Sequence, residues 1–473
     1  MIPMSRPSAL LAAALLGLCT APAHEMLGRE RLIVLTDISN EPDDEQSMVR
    51  LLVYANEFEL EGLIATTSTW LRNGPREDLI HRQLDAYARV RDALARHAKG
   101  FPTADELRAV TATGQAGYGL ADVGHGRASA GSELLRAAAA RSDPRPLWVA
   151  LWGGANTLAQ SLTDARRELA PDEFARLVSR LRVYSISDQD DAGAWLRREF
   201  PTLFYIASPS TQDWKEYWRA TWTGISGDRH YRNGPGHAFE LVDNPWLERH
   251  VMRDHGALGG LYPKVAYIME GDTPSFLGLI ENGLGWAISP AYGGWGGRYV
   301  VYQPSGESRP FWTNNHDSRD TVTADNGRTD TSDPATIWRW RTAFQHDFAA
   351  RMDWCSAKSY REANHRPTAV LNGDTTQRVL EHAAASGETV SLSSAGSSDP
   401  DGHALARRWF VYREAGTYPG EVVVEAKGET ARLIAPAKAT GIAGPQTIHI
   451  ILEVTDDGSP SVTAYRRLVV TLR

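Results

Sequence analysis

Short apolar runs alternate with helical patterns through residues 25–355. The runs are almost continuously hydrophobic, and the segments between them repeat apolar residues every three or four positions. This alternation is typical of parallel strands that are buried on both faces and joined by crossover helices. We therefore predict an α/β domain over residues 25–360, with a mostly parallel sheet covered by helices. The apolar runs lie at residues 31–35, 60–68, 146–154, 181–187 and 203–208.

The last part of the chain changes to strand alternation. Residues 334–354 have the pattern of an amphipathic helix that closes the first domain, and residues 364–374 resemble a linker. Beyond it, turns such as SSDPDG and TDDGSP separate alternating segments. We expect an all-β, immunoglobulin-like sandwich at residues 365–473. Its predicted core residues are Val390, Leu392, Trp409, Val411, Ile451, Leu452 and Val454.

The aromatic residues of this tail predict little polysaccharide binding. Strand alternation places Phe410 and Tyr412 on one face, where Tyr418 would extend them into a small patch. We therefore expect a structural or spacing role for the tail and expect glycan contacts in the first domain. Asp399 and Asp401 are explained by turn formation, with a second ion site as the alternative.

The N-terminus has the features of a secretory signal peptide over residues 1–23. Arg6 supplies the positive charge, residues 9–18 are apolar, and the APA motif fits cleavage after Ala23. The apolar stretch is too short to span a bilayer. After cleavage one cysteine, Cys355, would remain, so no intramolecular disulfide is expected. The sequence predicts a secreted or periplasmic protein without a membrane span.

Composition and charge narrow the classes of partner. The 473-residue chain has a net charge of −8, and no basic stripe is available for phosphates, so nucleic acid is excluded as a partner. The 15 tryptophans and 16 tyrosines are compatible with a sugar-binding groove, although most aromatic side chains lie in cores. An oligomer is compatible with these features.

An acidic loop follows the first apolar run, with the sequence LTDISNEPDDEQS at residues 35–47. Burying like charges together costs several kcal/mol. Capping of the next helix, expected to begin near Glu45, explains some of the acids. A bound calcium ion would relieve the repulsion, because calcium prefers several oxygen ligands. The acids of this loop are Asp37, Glu41, Asp43, Asp44 and Glu45.

Three further polar loops follow predicted strands, at residues 66–70, 152–156 and 187–191. The carboxyl ends of parallel strands meet at one edge of a sheet, where α/β proteins bind ligands. The acidic loop follows a strand of the same sheet. This convergence favours an ion site over a solvated turn.

The acidic loop resembles the aspartate signature of the nucleoside hydrolase family, and LWGGANTLAQSL at residues 151–162 is similar to a second segment of that family. Residues 39–70, 245–280 and 289–299 more closely resemble a subgroup of secreted nucleoside-hydrolase-like proteins labelled cellulose-binding. That subgroup also carries a C-terminal β-sandwich. The resemblance extends from about Arg31 to the C-terminus.

The resemblance implies roles for matching residues. Asp37 would bind calcium and activate a water molecule, Asp44 would chelate calcium, and Asp43 would hold sugar hydroxyls. Five residues separate Asp37 from the aspartate pair, where the family usually has three. This difference leaves open whether Glu41 or Asn40 joins the ligands.

The resemblance also implies a late aspartate ligand and a set of substrate-binding residues. Asp317 and Asp320 both fit the late position, and Asp320 is preferred because Asp-Thr-Val matches the subgroup pattern. An equal alternative for Asp190 and Asp191 is that they lie in a solvated loop and do not contact the substrate. The expected substrate contacts, in addition to Asp43, are Trp70, Asn156, Asp190, Glu270, Asp272 and Trp295.

These observations predict a secreted, calcium-dependent hydrolase of N- or O-glycosyl bonds in a carbohydrate. Asp37 would act as the base, and the reaction would invert if no carboxylate attacks the sugar. The first alternative is a non-catalytic polysaccharide-binding protein on the same fold. The second is a purine or pyrimidine nucleoside hydrolase, which ranks lower because two segments differ from the nucleoside hydrolase family. This chain has Thr69 and Trp70 where the family has an asparagine after the second strand, and it has SDQDD where the family has a glycine-rich turn.

Overall fold

A computed structural model describes residues 28–39, 41–209 and 214–473. The predicted signal peptide and Asn40 lie outside the described residues. An eight-stranded sheet in the order β3-β2-β1-β4-β5-β6-β8-β7 forms the centre of the first domain. All neighbouring strands pair in parallel except the edge strand β7, which runs antiparallel to β8. The strands are β1 (Glu30–Thr36), β2 (Phe58–Ala65), β3 (Thr111–Thr113), β4 (Leu147–Leu151), β5 (Leu181–Ser185), β6 (Phe204–Ala207), β7 (Val300–Tyr302) and β8 (Phe311–Thr313).

Helices cover both faces of this sheet, which confirms the predicted fold. Along β1, Leu32 and Val34 belong to one hydrophobic cluster, whereas Ile33 and Leu35 belong to another. All four side chains are fully buried. The alternation places half of the strand in each layer, which explains the continuous apolar run.

The longer helices connect the first six strands, and short helices follow β6. The segment 334–354, predicted as one helix, forms a short helix, α12, and a longer one, α13, which closes the domain. The helices are α1 (Pro42–Val53), α2 (Glu77–His97), α3 (Ala104–Ala109), α4 (Ala130–Ala140), α5 (Asn156–Glu168), α6 (Pro171–Arg180), α7 (Ala192–Glu199), α8 (Gly227–His230), α9 (Asn244–Leu247), α10 (Gly256–Gly259), α11 (Pro274–Leu277), α12 (Ala335–Trp338) and α13 (Arg341–Trp354). None of the helices in the described part of the chain has the length and apolar character to cross a membrane.

The C-terminal part is a β-sandwich of a four-stranded sheet, β11-β17-β16-β13, and a three-stranded sheet, β12-β15-β14. A separate hairpin of β9 and β10 precedes it. The boundaries predicted for the two domains stay predictions. The strands are β9 (Asp320–Thr323), β10 (Thr329–Ser332), β11 (Leu380–Ala384), β12 (Thr389–Ser393), β13 (Leu405–Val411), β14 (Glu425–Lys427), β15 (Thr430–Ile434), β16 (Thr447–Asp456) and β17 (Thr463–Leu472).

Most of the predicted sandwich core is confirmed. Val390, Leu392, Trp409, Leu452 and Val454 lie in one buried cluster, and Val411 packs at its edge. Ile451 differs, because it belongs to the hydrophobic cluster of the first domain.

One face of the four-stranded sheet packs against the first domain. The Trp340 ring lies 5.8 Å from the Tyr412 ring and 5.5 Å from the Tyr465 ring, measured between centroids. Tyr412 is fully buried there. The predicted surface patch of Phe410, Tyr412 and Tyr418 is therefore wrong, because domain packing covers its central residue.

Candidate functional site

Loops at the carboxyl edge of the sheet surround one small cavity of about 30 Å³. Asp37 directly follows β1, Trp70 lies in the loop after β2, Trp152 directly follows β4, and Gln189 lies in the loop after β5. The structure therefore brings together the strand-end loops that the sequence places at one edge. A cavity of this volume has room for an ion or a water molecule.

The start of α1 positions the aspartate pair. The helix begins at Pro42, three residues before the predicted start, so Asp43 and Asp44 both lie in its first turn. Acids are favourable at this position because the N-terminus of a helix carries partial positive charge. The Thr36 hydroxyl at the end of β1 donates a hydrogen bond to Asp44. Both aspartates line the cavity.

Four aspartates meet at the cavity. One carboxylate oxygen from each of Asp43, Asp44 and Asp272 lies within 4.8 Å of the other two. Asp37 lines the same cavity, and the Ser68 hydroxyl donates to its Oδ2 over 2.5 Å. Asp272 comes from the segment just before α11, about 230 residues along the chain from the acidic loop.

Two glycines allow the carboxylates this close approach. A Cβ atom at residue 153 would lie 2.7 Å from the Asp37 Oδ1 atom, and one at residue 271 would lie 2.7 Å from the Asp43 Oδ2 atom. Real Cβ atoms do not approach this closely, so Gly153 and Gly271 keep room for the acids.

Burial and mutual repulsion make the four carboxyl groups difficult to ionise. Burial raises the pKa of Asp37 to about 7. Burial, and then the charges of Glu41 and Asp37, raises the pKa of Asp43 to about 8. The pKa values of Asp44 and Asp272 are raised well above the usual range by burial and by the neighbouring aspartates. The cluster would ionise readily only beside a cation.

The residues present fit a calcium ion. The Oδ2 atom of Asp272 is buried and has no hydrogen-bond partner. Such a group is costly to bury unless a ligand satisfies it. Clustered carboxylate oxygens are the donor set that calcium prefers. Glu41 also lines the cavity, so it remains available as a further ligand.

Two other polar groups at the cavity lack partners, and sequence reasoning missed both. The Gln189 Oε1 atom and the Tyr217 hydroxyl are buried without a hydrogen-bond partner. Gln189 stands among the acids of the SDQDD loop, and an uncharged amide there gives no sequence signal of its own. Tyr217 lies in a short 3₁₀ helix, Trp214–Arg219, where the sequence carries no strand signal. Trp222 and Tyr231 also line the cavity, together with the aromatic side chains of Trp70, Trp152 and Tyr217.

The structure corrects the expected late ligand. Asp320 is fully buried, and its oxygens pair with the guanidinium groups of Arg298 and Arg339, each at 2.7 Å. The Tyr412 hydroxyl also donates to it over 2.6 Å. With these partners Asp320 fixes the domain interface, and Asp272 takes the late position in the cluster. The alternative, Asp317, is exposed beside His316.

Glu270 and Trp295 also lie away from the cavity, which corrects their expected sugar contacts. The Arg50 guanidinium lies 2.5 Å from the Glu270 carboxylate, and both side chains are fully buried. Trp295 is 1% exposed and packs against Phe344 and Tyr465 at the domain interface. Both residues therefore support the fold around the site.

Asn156 and Asp190 do not line the cavity, which corrects their expected sugar contacts. The Asp190 carboxylate accepts hydrogen bonds from the backbone N–H groups of Asn156 and Ala192, at 3.0 and 2.9 Å. Asp190 is 1% exposed, which contradicts the solvated-loop alternative. The Asn156 side chain donates to the Gly117 carbonyl over 2.8 Å. Trp70, by contrast, lines the cavity and is 38% exposed at its mouth.

Comparisons with known proteins agree with this architecture. The chain is 38% identical to a nucleoside hydrolase-related hypothetical protein from Saccharophagus degradans that is associated with carbohydrate metabolism, with a TM-score of 0.78 over 94% of this chain and 100% of that chain. Effector protein XOO4466 is 13% identical with a TM-score of 0.33, over 70% of this chain and 95% of that chain, which is too low to support an inference. No curated protein matches the chain.

Family models cover both domains. Residues 389–472 match the C-terminal domain of cellulose-binding protein Sde0182. Residues 31–299 match the nucleoside hydrolase-like domain of cellulose-binding Sde182. These matches confirm the resemblance in the sequence, and the chain belongs to the family of cellulose-binding Sde182 proteins with a nucleoside hydrolase-like domain.

Proposed function

We propose that this protein is a secreted, calcium-dependent hydrolase that cleaves glycosyl bonds in a carbohydrate. The observation that supports this proposal is the group of four buried aspartates around one cavity, with an unpartnered Asp272 oxygen. A fold that buries four carboxyl groups together and raises the pKa of each is typical of a functional site.

Asp43, Asp44 and Asp272 would hold the ion, because their carboxylate oxygens lie within 4.8 Å of one another. Asp37 lines the same cavity and would join them, as the family resemblance implies. Calcium would supply charge neutralisation and lower the pKa of a bound water molecule. Asp43 also lines the cavity, so it can accept hydrogen bonds from sugar hydroxyls as well, as the family resemblance implies. The cavity is lined by all four residues.

Asp37 is the candidate base. The hydrogen bond from Ser68 orients its carboxyl group, and the neighbouring calcium ion would keep that group ionised. An ionised carboxylate held in this position can take a proton from the bound water molecule. Removal of that proton would prepare the water oxygen to attack an anomeric carbon in a single displacement.

The sugar would bind at the mouth of the cavity. Its volume of about 30 Å³ accommodates an ion and a water molecule but not a sugar ring. The half-exposed Trp70 indole offers a flat apolar surface for one face of a sugar ring. Gln189 and Tyr217 carry the unpartnered polar atoms that could bind its hydroxyl groups.

The second candidate function is polysaccharide binding without catalysis. The small cavity favours it, as does the description of the family as cellulose-binding. In that case the aspartates would hold a structural ion and the aromatic residues at the mouth would bind the glycan.

One experiment separates the two functions. Purified protein is tested against glycans, including cellulose, and nucleosides, with calcium and with a chelator, and both binding and product release are measured. A hydrolase should release products only with calcium. The Asp37→Asn variant should release no products but should still bind the substrate. The exposed Asp317 provides a matched control, Asp317→Asn. Binding without product release across the panel would refute the hydrolase and support the second candidate.

A further inference from the structure

A second cluster of possible ligands lies in the C-terminal domain, in the turn between β12 and β13. The carboxylates of Asp399 and Asp401 and the imidazole of His403 offer ligand atoms within 4.8 Å of one another. A groove of about 580 Å³ opens beside them and is lined in part by Tyr360, Asn364, Asp401 and His403. The groove gives solvent access to the cluster, far along the chain from the four-aspartate site.

Turn formation explains only half of this arrangement. The Asp399 Oδ1 atom accepts hydrogen bonds from the backbone N–H groups of Asp401 and His403, at 2.9 and 3.0 Å, as turn-forming aspartates do. The other oxygen, Oδ2, is buried without a hydrogen-bond partner, and the Asp399 side chain is only 1% exposed. A turn does not require a buried, unsatisfied carboxylate oxygen, which is costly.

The imidazole of His403 also has a buried polar atom without a hydrogen-bond partner. Its Nδ1 atom is buried without a hydrogen-bond partner and lies 3.5 Å from the Asp399 Oδ1 atom. Ligands that lie 2.0–2.2 Å from a tetrahedral zinc ion are separated from one another by roughly 3.5 Å. A separation of this size allows the two side chains to bind one ion, with Asp399 using its free Oδ2 atom and His403 its Nδ1 atom.

We propose that Asp399, Asp401 and His403 bind a divalent transition-metal ion of the zinc class. Two carboxylates supply negative charge, and a neutral imidazole is a ligand that zinc accepts and calcium disfavours. The groove leaves a fourth position for water. This site differs from the all-carboxylate site at the sheet edge both in its ligands and in its metal.

A hydrogen-bonded chain would connect the ion to the first domain. The His365 backbone N–H donates to the Asp401 Oδ2 atom over 2.8 Å, and the His365 Nδ1 atom lies 3.0 Å from the same carboxylate. The His365 Nε2 atom lies 2.9 Å from the Nδ1 atom of His97, at the end of α2. Such partners orient a metal-binding carboxylate, so the ion fastens the sandwich to the linker and to the first domain.

The test uses the full-length protein after treatment with a chelator and dialysis. Zinc or cobalt(II) is added in excess calcium, which occupies the sheet-edge site, and binding is followed by calorimetry, metal analysis and the visible spectrum of cobalt. We expect one zinc per chain, a melting temperature raised by several degrees, and a cobalt spectrum. His403→Ala should weaken zinc binding at least a hundredfold and abolish all three signals.

Controls separate this site from the rest of the protein. His382, an exposed histidine of the same domain paired with Glu388, provides the matched variant His382→Ala, which should bind zinc as the parent does. Asp44→Asn should also keep the zinc, whatever happens to the proposed hydrolase. Asp399→Asn retains the turn-forming oxygen and should lose zinc even if His403→Ala folds poorly. Equal zinc binding by the parent and Asp399→Asn, or no zinc in the parent, would overturn the proposal.

Discussion

Replacing Asp272 by asparagine tests the ion site most directly, because it should change stability in opposite directions with and without calcium. Asp272 is buried among Asp37, Asp43 and Asp44, and each of these charges raises its pKa. Without an ion, the neutral amide relieves the cost of holding another acid in the cluster. With calcium, the same amide is a weaker ligand, so the variant should lose part of the ion's stabilisation.

The magnitude follows from the pKa values of the cluster. Burial raises the pKa of Asp37 from 3.8 to about 7. The unfolded chain releases this proton above pH 3.8, whereas the ion-free folded protein retains it, so stability falls as the pH rises from about 4 to about 7. One such group costs about 4 kcal/mol at neutral pH. Burial and the neighbouring aspartates raise the pKa of Asp272 as well, so Asp272→Asn should raise the ion-free free energy of unfolding by an amount of the same order.

Urea unfolding at neutral pH, in chelator and in excess calcium, measures both effects. The parent should gain about 3 kcal/mol at a calcium concentration a hundredfold above its Kd, and the variant should gain much less. Asp317→Asn changes an exposed acid and should stay within about 0.5 kcal/mol of the parent in both conditions. A variant no more stable than the parent in chelator, or fully responsive to calcium, would refute the reasoning.

Three further predictions concern other parts of the molecule. Asp320→Asn leaves the guanidinium groups of Arg298 and Arg339 facing a neutral amide, so thermal unfolding should show a loss of about 3–5 kcal/mol, with calcium binding retained. Trp70→Ala should weaken glycan binding about fivefold in a pull-down assay, because about 1 kcal/mol of ring contact is lost, without changing the calcium-dependent melting temperature. Burial and the neighbouring His365 lower the pKa of His97 from 6.5 to about 4. The unfolded state therefore takes up a proton that the folded state excludes, and stability should fall between pH 6.5 and 4 in urea titrations. His97→Gln should flatten that fall; an equally steep fall in the variant would show that another group titrates.

The sequence predicts the architecture of this protein well because its signals are local. The apolar runs coincide with β1, β2, β4, β5 and β6, since strands buried on both faces need nearly continuous hydrophobic residues. Strand alternation and turn residues similarly identify the sandwich. These features depend on residues within a few positions of one another, so a single sequence is enough to read them.

The acidic loop could also be placed from sequence. Asp37 follows a buried strand directly, and Asp43 and Asp44 lie where the next helix starts, so all three must lie at the carboxyl edge of the sheet. The resemblance to nucleoside hydrolases adds their implied roles. Whether an ion is bound and whether a glycosyl bond is cleaved stay predictions.

Only the tertiary structure decides which distant residues join that loop. Asp272 precedes a short helix and Asp320 begins a short strand, and nothing in their local sequence distinguishes a member of the carboxylate cluster from the partner of two arginines. Glu270 pairs with Arg50, 220 positions away along the chain. Tyr412 has the alternation of a surface residue, yet another domain covers it. Periodicity reports which face of an element is apolar, whereas long-range packing determines what that face meets, and this depends on how the whole chain closes around its core.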